Sequence, residues 1–322
     1  MAKPQVYIDG QAGTTGLRIR TLLAERRDLE VIEIEPARRK DRSARRELLN
    51  AADLAILCLP DDAAREAVAM VDRAGARILD ASTAHRVAEG WVYGLPELAP
   101  TQRGQIAEAS RVSNPGCYPT GVALLLRPLV EAGLIPASAP IFVHALSGYT
   151  GGGKAMIANW EDPDGGLVGL PFEGPYAYER MHKHIPEMTR YANLASHPHF
   201  VPAVGPFACG MRIQVPLHAA TMQGTDAKAL HAALTARYQD ERCIRVHPLG
   251  QGPSGEPTEP TSLDPRSCNG TNRVELSVLP HPDGHATLLA ILDNLGKGAS
   301  GAAVQNLNLM LGLDEHAGLK LD

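Results

Sequence analysis

Cys117 stands in Ser113-Asn114-Pro115-Gly116-Cys117-Tyr118-Pro119-Thr120. The Pro-Gly pair forces a tight turn just before the thiol, and the apolar run from Val122 to Leu126 predicts a helix starting near it. A helix N-terminus lowers a thiol pKa and favours the thiolate, the nucleophilic form. Cys58, Cys209, Cys243 and Cys268 have no such setting and read as structural thiols. A thiolate nucleophile needs a proton-transfer partner. His182-Lys183-His184-Ile185-Pro186-Glu187 packs two imidazoles and a carboxylate into one short segment, and His197-Pro198-His199 is a rival. Neither H-x-H pair has a third ligand at a recognised spacing, so no metal is expected.

A second motif, Gly10-x-x-Gly13-Thr14-Thr15-Gly16, follows the apolar run Val6-Tyr7-Ile8 and precedes a helical pattern through Leu17, Ile19, Leu22 and Leu23. Glycines between a strand and a helix permit a tight turn and close backbone approach, so that a pyrophosphate can sit on the helix N-terminus. The spacing departs from G-x-G-x-x-G because Ala12 stands where the second glycine would be. Glu35 lies where an acid would bind a ribose 2′-hydroxyl, but Arg38, Arg39 and Lys40 follow at once and suit a 2′-phosphate. The three cations favour NADP(H) over NAD. The wider run, continuing through Arg42, Arg45 and Arg46, also reads as the solvated start of a helix.

The elements that must hold these motifs alternate. Val6–Ile8, Leu29–Glu35, Asp53–Leu59 and Ala76–Asp80 read as strands separated by helices, which predicts an α/β, Rossmann-like, doubly wound parallel sheet. Further on, Ile141–Leu146, Gly210–Leu217 and Arg273–Leu279 read as strands at longer spacings, so the middle of the chain is expected to be an α+β substrate and dimerisation domain. The polar stretch 251–269 reads as an exposed loop and 299–313 as a helix. The expected division is a nucleotide-binding domain of residues 1–116 and 299–322 and a catalytic domain of residues 117–298.

Composition narrows the classes. A chain of 322 residues, 44% hydrophobic and 21% charged, buries large cores without staples. A net charge of −5 and an aromatic content of 4% argue against a nucleic-acid surface. Five scattered cysteines with no C-x-x-C pair fit a reducing compartment. The N-terminal residues lack a signal-peptide core, and the longest apolar stretch, 121–126, is too short for a bilayer. A cytoplasmic protein with no membrane association is expected.

With these motifs in this order, the chain resembles the N-acetyl-γ-glutamyl-phosphate reductases of the shorter subtype, a family related to aspartate-semialdehyde dehydrogenase. The resemblance rests on residues 10–16 (GQAGTTG), 80–86 (DASTAHR), 113–120 (SNPGCYPT), 147–154 (SGYTGGGK), 182–187 (HKHIPE) and 302–312 (AAVQNLNLMLG). It implies NADPH-dependent reduction of a small acyl phosphate to N-acetylglutamate 5-semialdehyde and phosphate through a Cys117 thioester, in arginine biosynthesis. It implies His184 as the acid/base and His182 as a supporting or substrate contact. Ser82, Arg86, Asn114 and Lys154 are then candidates for the substrate, with Arg86 and Lys154 for its phosphate and carboxylate and Asn114 for its acyl oxygen. Gly10, Gly13, Thr14, Thr15, Gly16, Arg38 and Asn306 are candidates for the cofactor. The fold commonly forms homo-oligomers, either dimers or tetramers. An aspartate-semialdehyde dehydrogenase, a cysteine-dependent acyl hydrolase and a nucleotide-sensing module without turnover are the competing readings.

Overall fold

Tyr7 is buried in one apolar cluster, and its neighbours Val6 and Ile8 are buried in another. The same alternation runs through Leu54-Ala55-Ile56-Leu57. Successive side chains of a strand point to opposite faces, so both strands are covered on both sides, as a parallel sheet between helix layers requires. In this computed structural model, which describes residues 2–222, 224–256, 259 and 261–322, these strands belong to the first of two units. That unit comprises Met1–Pro115 and Ala299–Lys320.

Its elements are β1 (Gln5–Asp9), α1 (Thr14–Leu23), β2 (Glu30–Ile32), α2 (Arg42–Ala51), β3 (Leu54–Leu57), α3 (Asp61–Ala69), β4 (Arg77–Asp80), β5 (Val92–Tyr93), α4 (Gln102–Glu108) and β6 (Arg111–Ser113). The six strands are parallel throughout, in the order β2-β1-β3-β4-β6-β5. The order reverses between β1 and β3, the position where open α/β sheets bind ligands beyond their strand ends. One cluster joins Val6, Ile8, Leu54 and Ile56 to Ile19 of α1, Ile106 of α4 and Val304 and Leu307 near the C-terminus. The other joins Tyr7, Ala55 and Leu57 to Ala44 and Leu49 of α2 and Ala64 and Ala67 of α3. Each fully buried Ile or Leu here contributes about 1.5–3 kcal/mol.

The second unit comprises Gly116–Gly298 and Leu321–Asp322. It contains α5 (Cys117–Glu131), β7 (Phe142–Gly148), α6 (Gly153–Glu161), β8 (Gly174–Pro175), α7 (Ile185–Tyr191), β9 (His199–Gly205), β10 (Met211–Leu217), α8 (Ala227–Tyr238), β11 (Ile244–Val246), β12 (Val274–Pro280) and β13 (Ala286–Leu292). A final helix, α9 (Gly301–Met310), returns to the first unit. The seven-stranded sheet is mixed, in the order β11-β12-β13-β10-β7-β9-β8. The helix α5 packs on β10 and β13 at Gly121, where any side chain would meet Ile213 and Ala290. Tyr238 of α8 donates a 2.7 Å hydrogen bond to the Leu124 carbonyl, tying α8 to α5.

Several expected elements change size. The strand expected over 29–35 is only Glu30–Ile32, because Ile34 leaves the ladder to bury itself under α2 and α3, and Pro36 follows. The expected C-terminal helix shortens to Gly301–Met310, preceded by a π-helical turn over Gly296–Ser300. The stretch 251–269 contains no helix or strand among its described residues, but it is not wholly exposed. Cys268 is fully buried against Leu289 and Ile291, with Leu263 packed beside them, because this face of β13 carries no helix. Positions 257, 258 and 260 of that stretch lie outside the described residues. No helix among the described residues is long and apolar enough to cross a membrane.

Candidate active site

The helix α5 begins at Cys117, with Gly116 as its extended N-cap residue (φ −77°, ψ 154°). The thiol therefore sits on the first residue of a fifteen-residue helix, where the helix dipole favours negative charge. The turn before it is held from outside. The Gly116 N–H donates a 2.7 Å hydrogen bond to Glu187 Oε1, and Glu187 is buried in the first turn of α7. The hydroxyl and the backbone N–H of Thr120 both donate to the Gly116 carbonyl, at 2.9 and 3.0 Å. Gly298 lies against the thiol-bearing residue, and a Cβ there would stand 2.8 Å from Cys117 Cβ.

Cys117 opens into a cavity of about 430 Å³, also lined by Tyr118, Tyr176, His182 and His184. The ring of Tyr118 meets both histidines edge-on, at 5.9 Å from His182 and 5.8 Å from His184, and the two imidazoles lie 4.9 Å apart. His182 Nδ1 accepts the backbone N–H of His184 at 3.1 Å. The proton of neutral His182 must then be on Nε2, which faces the Tyr176 hydroxyl at 3.3 Å. Tyr176 in turn donates to the Tyr118 oxygen at 3.3 Å. Burial, reinforced by the charges of Lys183 and Arg180, pushes His182 down to about 4. Burial pushes Tyr176 up to about 12 and Tyr118 well above the ordinary tyrosine value. At neutral pH the chain His182–Tyr176–Tyr118 is therefore uncharged and keeps its protons. His184, buried at the N-cap of α7, has its own edge contact with Tyr118.

The glycine loop lies in the first unit. Gly10 has φ +87°, in the left-handed region, and a Cβ there would strike the Cys58 carbonyl beyond β3. A Cβ on Gly16 would strike the Gly10 carbonyl. Gly13 is the N-cap of α1 and its N–H closes the turn onto Gly10 O at 3.0 Å. The first turn of α1, with Thr14, Thr15 and Gly16, carries no acid of its own. These features fit a pyrophosphate. The basic run is mostly consumed internally: Arg38 pairs with Asp41 at 3.2 Å, Arg42 with Glu66 at 3.5 Å, Arg45 with buried Asp9 at 2.9 Å, and Arg46 with Asp72. Arg39 and Lys40 are exposed and have no ion-pair partner among the described residues. Those two carry no competing ion pair, whereas Arg38 would have to exchange the half-exposed Asp41 to meet a 2′-phosphate.

The other candidates of this unit form one network. Asn306 of α9 donates to the Gly94 carbonyl at 2.8 Å and to Asn114 Oδ1 at 3.1 Å, and its own Oδ1 is buried without a hydrogen-bond partner among the described residues. Gly94 is required there, because a Cβ would overlap the Asn306 amide. Asn114 donates to Ala299 O, and Arg86 Nε donates to Asn114 O, both at 2.9 Å. Ser82 donates to Asp80 at 2.7 Å, and His85 Nδ1 lies 2.6 Å from the same fully buried carboxylate.

Cys117, His182 and His184 thus share one cavity in the second unit, whereas Ser82, Arg86, Asn114 and Asn306 are assembled in the first. Lys154 belongs to the second unit but is exposed near the start of α6 and is not among the cavity-lining residues. Sequence reasoning missed Tyr118, Tyr176, Arg180 and Lys183. The two cations were signalled by their places beside His182, and the tyrosines carried no signal beyond proximity in sequence.

Comparison with known proteins shows the family. A family model described as semialdehyde dehydrogenase, dimerisation domain, matches residues 117–294, and one described as semialdehyde dehydrogenase, NAD binding domain, matches residues 39–106. The chain is 50% identical over 325 residues to N-acetyl-γ-glutamyl-phosphate reductase 2 of Nostoc sp., covering 99% of this chain and 100% of the relative. It is 48% identical over 314 residues to the corresponding reductase 2 of Pseudomonas putida, covering 97% and 98%. Among solved structures, aspartate semialdehyde dehydrogenase II from Vibrio cholerae matches with a TM-score of 0.70 at 17% identity, over 97% of this chain and 99% of that one. An aspartate semialdehyde dehydrogenase with NADP from Candida albicans matches with a TM-score of 0.66 at 13% identity, over 96% and 99%. These distant structures share the fold expected from the sequence, an α/β nucleotide-binding layer joined to a second sheet. At half the residues identical over nearly the full length, the chain belongs to the N-acetyl-γ-glutamyl-phosphate reductase family of oxidoreductases.

Proposed function

We propose that the chain reduces N-acetyl-γ-glutamyl phosphate to N-acetylglutamate 5-semialdehyde and phosphate, with Cys117 as nucleophile and His184 as acid/base. The observation that carries this reading is the thiol on the first residue of α5, sharing a cavity with His184. The Cys117 thiolate attacks the acyl carbon, a C–S bond forms, and the C–O bond to phosphate breaks. His184, as its imidazolium, gives the departing phosphate the one proton that the reaction takes up. NADPH, when bound, supplies the hydride that converts the thioester to the aldehyde oxidation level. Cleavage of the C–S bond then releases the aldehyde and restores the thiolate. Backbone N–H groups at the start of α5 stabilise the tetrahedral oxygen. His182, held neutral, fixes the His184 backbone through Nδ1.

In this reading the first unit holds NADPH, with the pyrophosphate on the glycine loop, the 2′-phosphate at the basic run and Asn306 toward the nicotinamide. Arg86, Ser82 and Asn114 are proposed substrate contacts, with Lys154 left to the phosphate. The protein acts in the cytoplasm as a homo-oligomer, a dimer or tetramer, and binds neither nucleic acid nor membrane. The test runs the reaction backwards, with NADP, phosphate and N-acetylglutamate semialdehyde, following NADPH absorbance. Phosphate-dependent turnover that disappears in Cys117→Ser supports the proposal. Turnover with aspartate semialdehyde alone would assign the sister activity, and NADPH formation retained in Cys117→Ser would overturn the covalent route.

A further inference from the structure

The cavity at Cys117 is lined by two cations, Arg180 and Lys183, and by no carboxylate among the described residues. Lys183 has no ion-pair partner among the described residues. Arg180 is paired with Glu179 at 3.0 Å, but both side chains are 67% exposed, so that pair is weak and readily exchanged. The charges of both cations reach His182, which lies in ring contact with His184 and Tyr118. The cationic edge and the reacting groups therefore share one small space.

A substrate of the proposed reaction carries two anions. The phosphate is bonded to the carbon that the thiol attacks, so it must sit beside the N-terminus of α5, which itself favours an anion. The α-carboxylate lies at the far end of the glutamate skeleton and needs a cation of its own. Lys154, the lysine that the sequence offered for this task, is exposed and does not line the cavity. We infer that Lys183, assisted by Arg180, forms the subsite that receives the α-carboxylate and thereby selects the carboxylated aldehyde. This rests on the reductase reading above. Lys183 supplies a point charge at the rim, and Arg180 exchanges Glu179 for the substrate carboxylate in a forked contact.

The test compares two aldehydes in the reverse reaction, N-acetylglutamate semialdehyde and 4-acetamidobutanal, which differ only in the α-carboxylate. The wild type is expected to favour the first strongly. Lys183→Ala raises KM for that aldehyde about tenfold or more, with kcat and the KM values for phosphate and NADP little changed, since a charged hydrogen bond is lost only to the carboxylate. The double variant Arg180→Ala/Lys183→Ala loses most of the preference between the aldehydes, and Lys183→Arg restores it. Both positions are exposed at the rim, so these variants keep their fold. A rise in KM for phosphate instead of aldehyde would reassign the cations to phosphate and overturn the inference. Unchanged discrimination in the double variant would do the same. A wild type silent with both aldehydes would overturn the reductase reading itself, a result distinct from either.

Discussion

Glu187 accepts a 2.7 Å hydrogen bond from the N–H of Gly116, the residue that caps the helix bearing Cys117. A carboxylate from the histidine segment thus holds the turn that presents the thiol. Glu187→Ala leaves a buried N–H unsatisfied, at a cost of about 1–3 kcal/mol in stability, and loosens the turn. The expected result is a lower Tm together with a fall in kcat and slower alkylation of Cys117 by iodoacetamide. Glu187→Gln keeps an acceptor oxygen and is expected to recover most of both. Equal losses in the two variants would show that the negative charge, not the hydrogen bond, matters.

Gly298 lies against Cys117, and an added methyl would come within 2.8 Å of the cysteine Cβ. Gly298→Ala therefore shifts the nucleophile while leaving the cations of the cavity alone. The expected outcome is a loss of about tenfold or more in kcat, consistent with the sensitivity of catalysis to small displacements, with KM for the aldehyde nearly unchanged. Steady-state kinetics of the reverse reaction decide it.

His182 makes a pH prediction whose sign follows from burial. In the unfolded chain its imidazole takes up a proton near the ordinary histidine value of about 6.5, whereas in the folded protein it does so only at about 4. Between those values the unfolded state binds more protons, so this residue's contribution is intact above pH 6.5 and is lost as the pH falls toward 4. His182→Asn, whose side-chain oxygen replaces Nδ1 as acceptor, is expected to flatten the fall of Tm between pH 7 and pH 5, read by calorimetry beside the wild type. An identical slope in both proteins would remove His182 from the account.

Arg39 and Lys40 remain exposed after Arg38 has paired with Asp41. Replacing both by alanine is expected to weaken NADP binding by about 10- to 100-fold, the worth of charged hydrogen bonds of about 1.5–3 kcal/mol, with NAD binding unchanged. Arg38→Ala is expected to do much less. Fluorescence titration of the two nucleotides checks this without any turnover. A loss confined to Arg38→Ala would return the phosphate to that residue.

The first unit was legible because its strands are short, apolar and covered on both faces, so that Val6–Ile8 and Leu54–Leu57 announce themselves without any tertiary knowledge. The second sheet was less so. Ala286–Leu292 is an interior apolar strand of it, yet a continuous apolar run does not distinguish a strand from a buried helix segment. The fate of the basic run was hidden for a different reason: Asp9, Glu66 and Asp72 neutralise Arg45, Arg42 and Arg46 from separate elements, and no local spacing reveals such pairs. Cys117 and the two histidines were legible because turn chemistry and helix-start chemistry are local. Arg180 and Lys183 were visible as residues but not as cavity walls.

The first unit is sewn from two segments of the chain, with Gly116–Gly298 of the second unit between them. On a ribosome, the strands of the six-stranded sheet emerge early, yet one of their apolar faces, covered in part by Ile19 of α1 and Ile106 of α4, is completed only when Val304, Leu307 and Met310 arrive nearly two hundred residues after Pro115. The inserted unit is meanwhile free to collapse by itself. Vectorial synthesis thus leaves the nucleotide layer as the last to close, and a nascent chain stalled before residue 301 carries a sticky apolar face that chaperones would recognise.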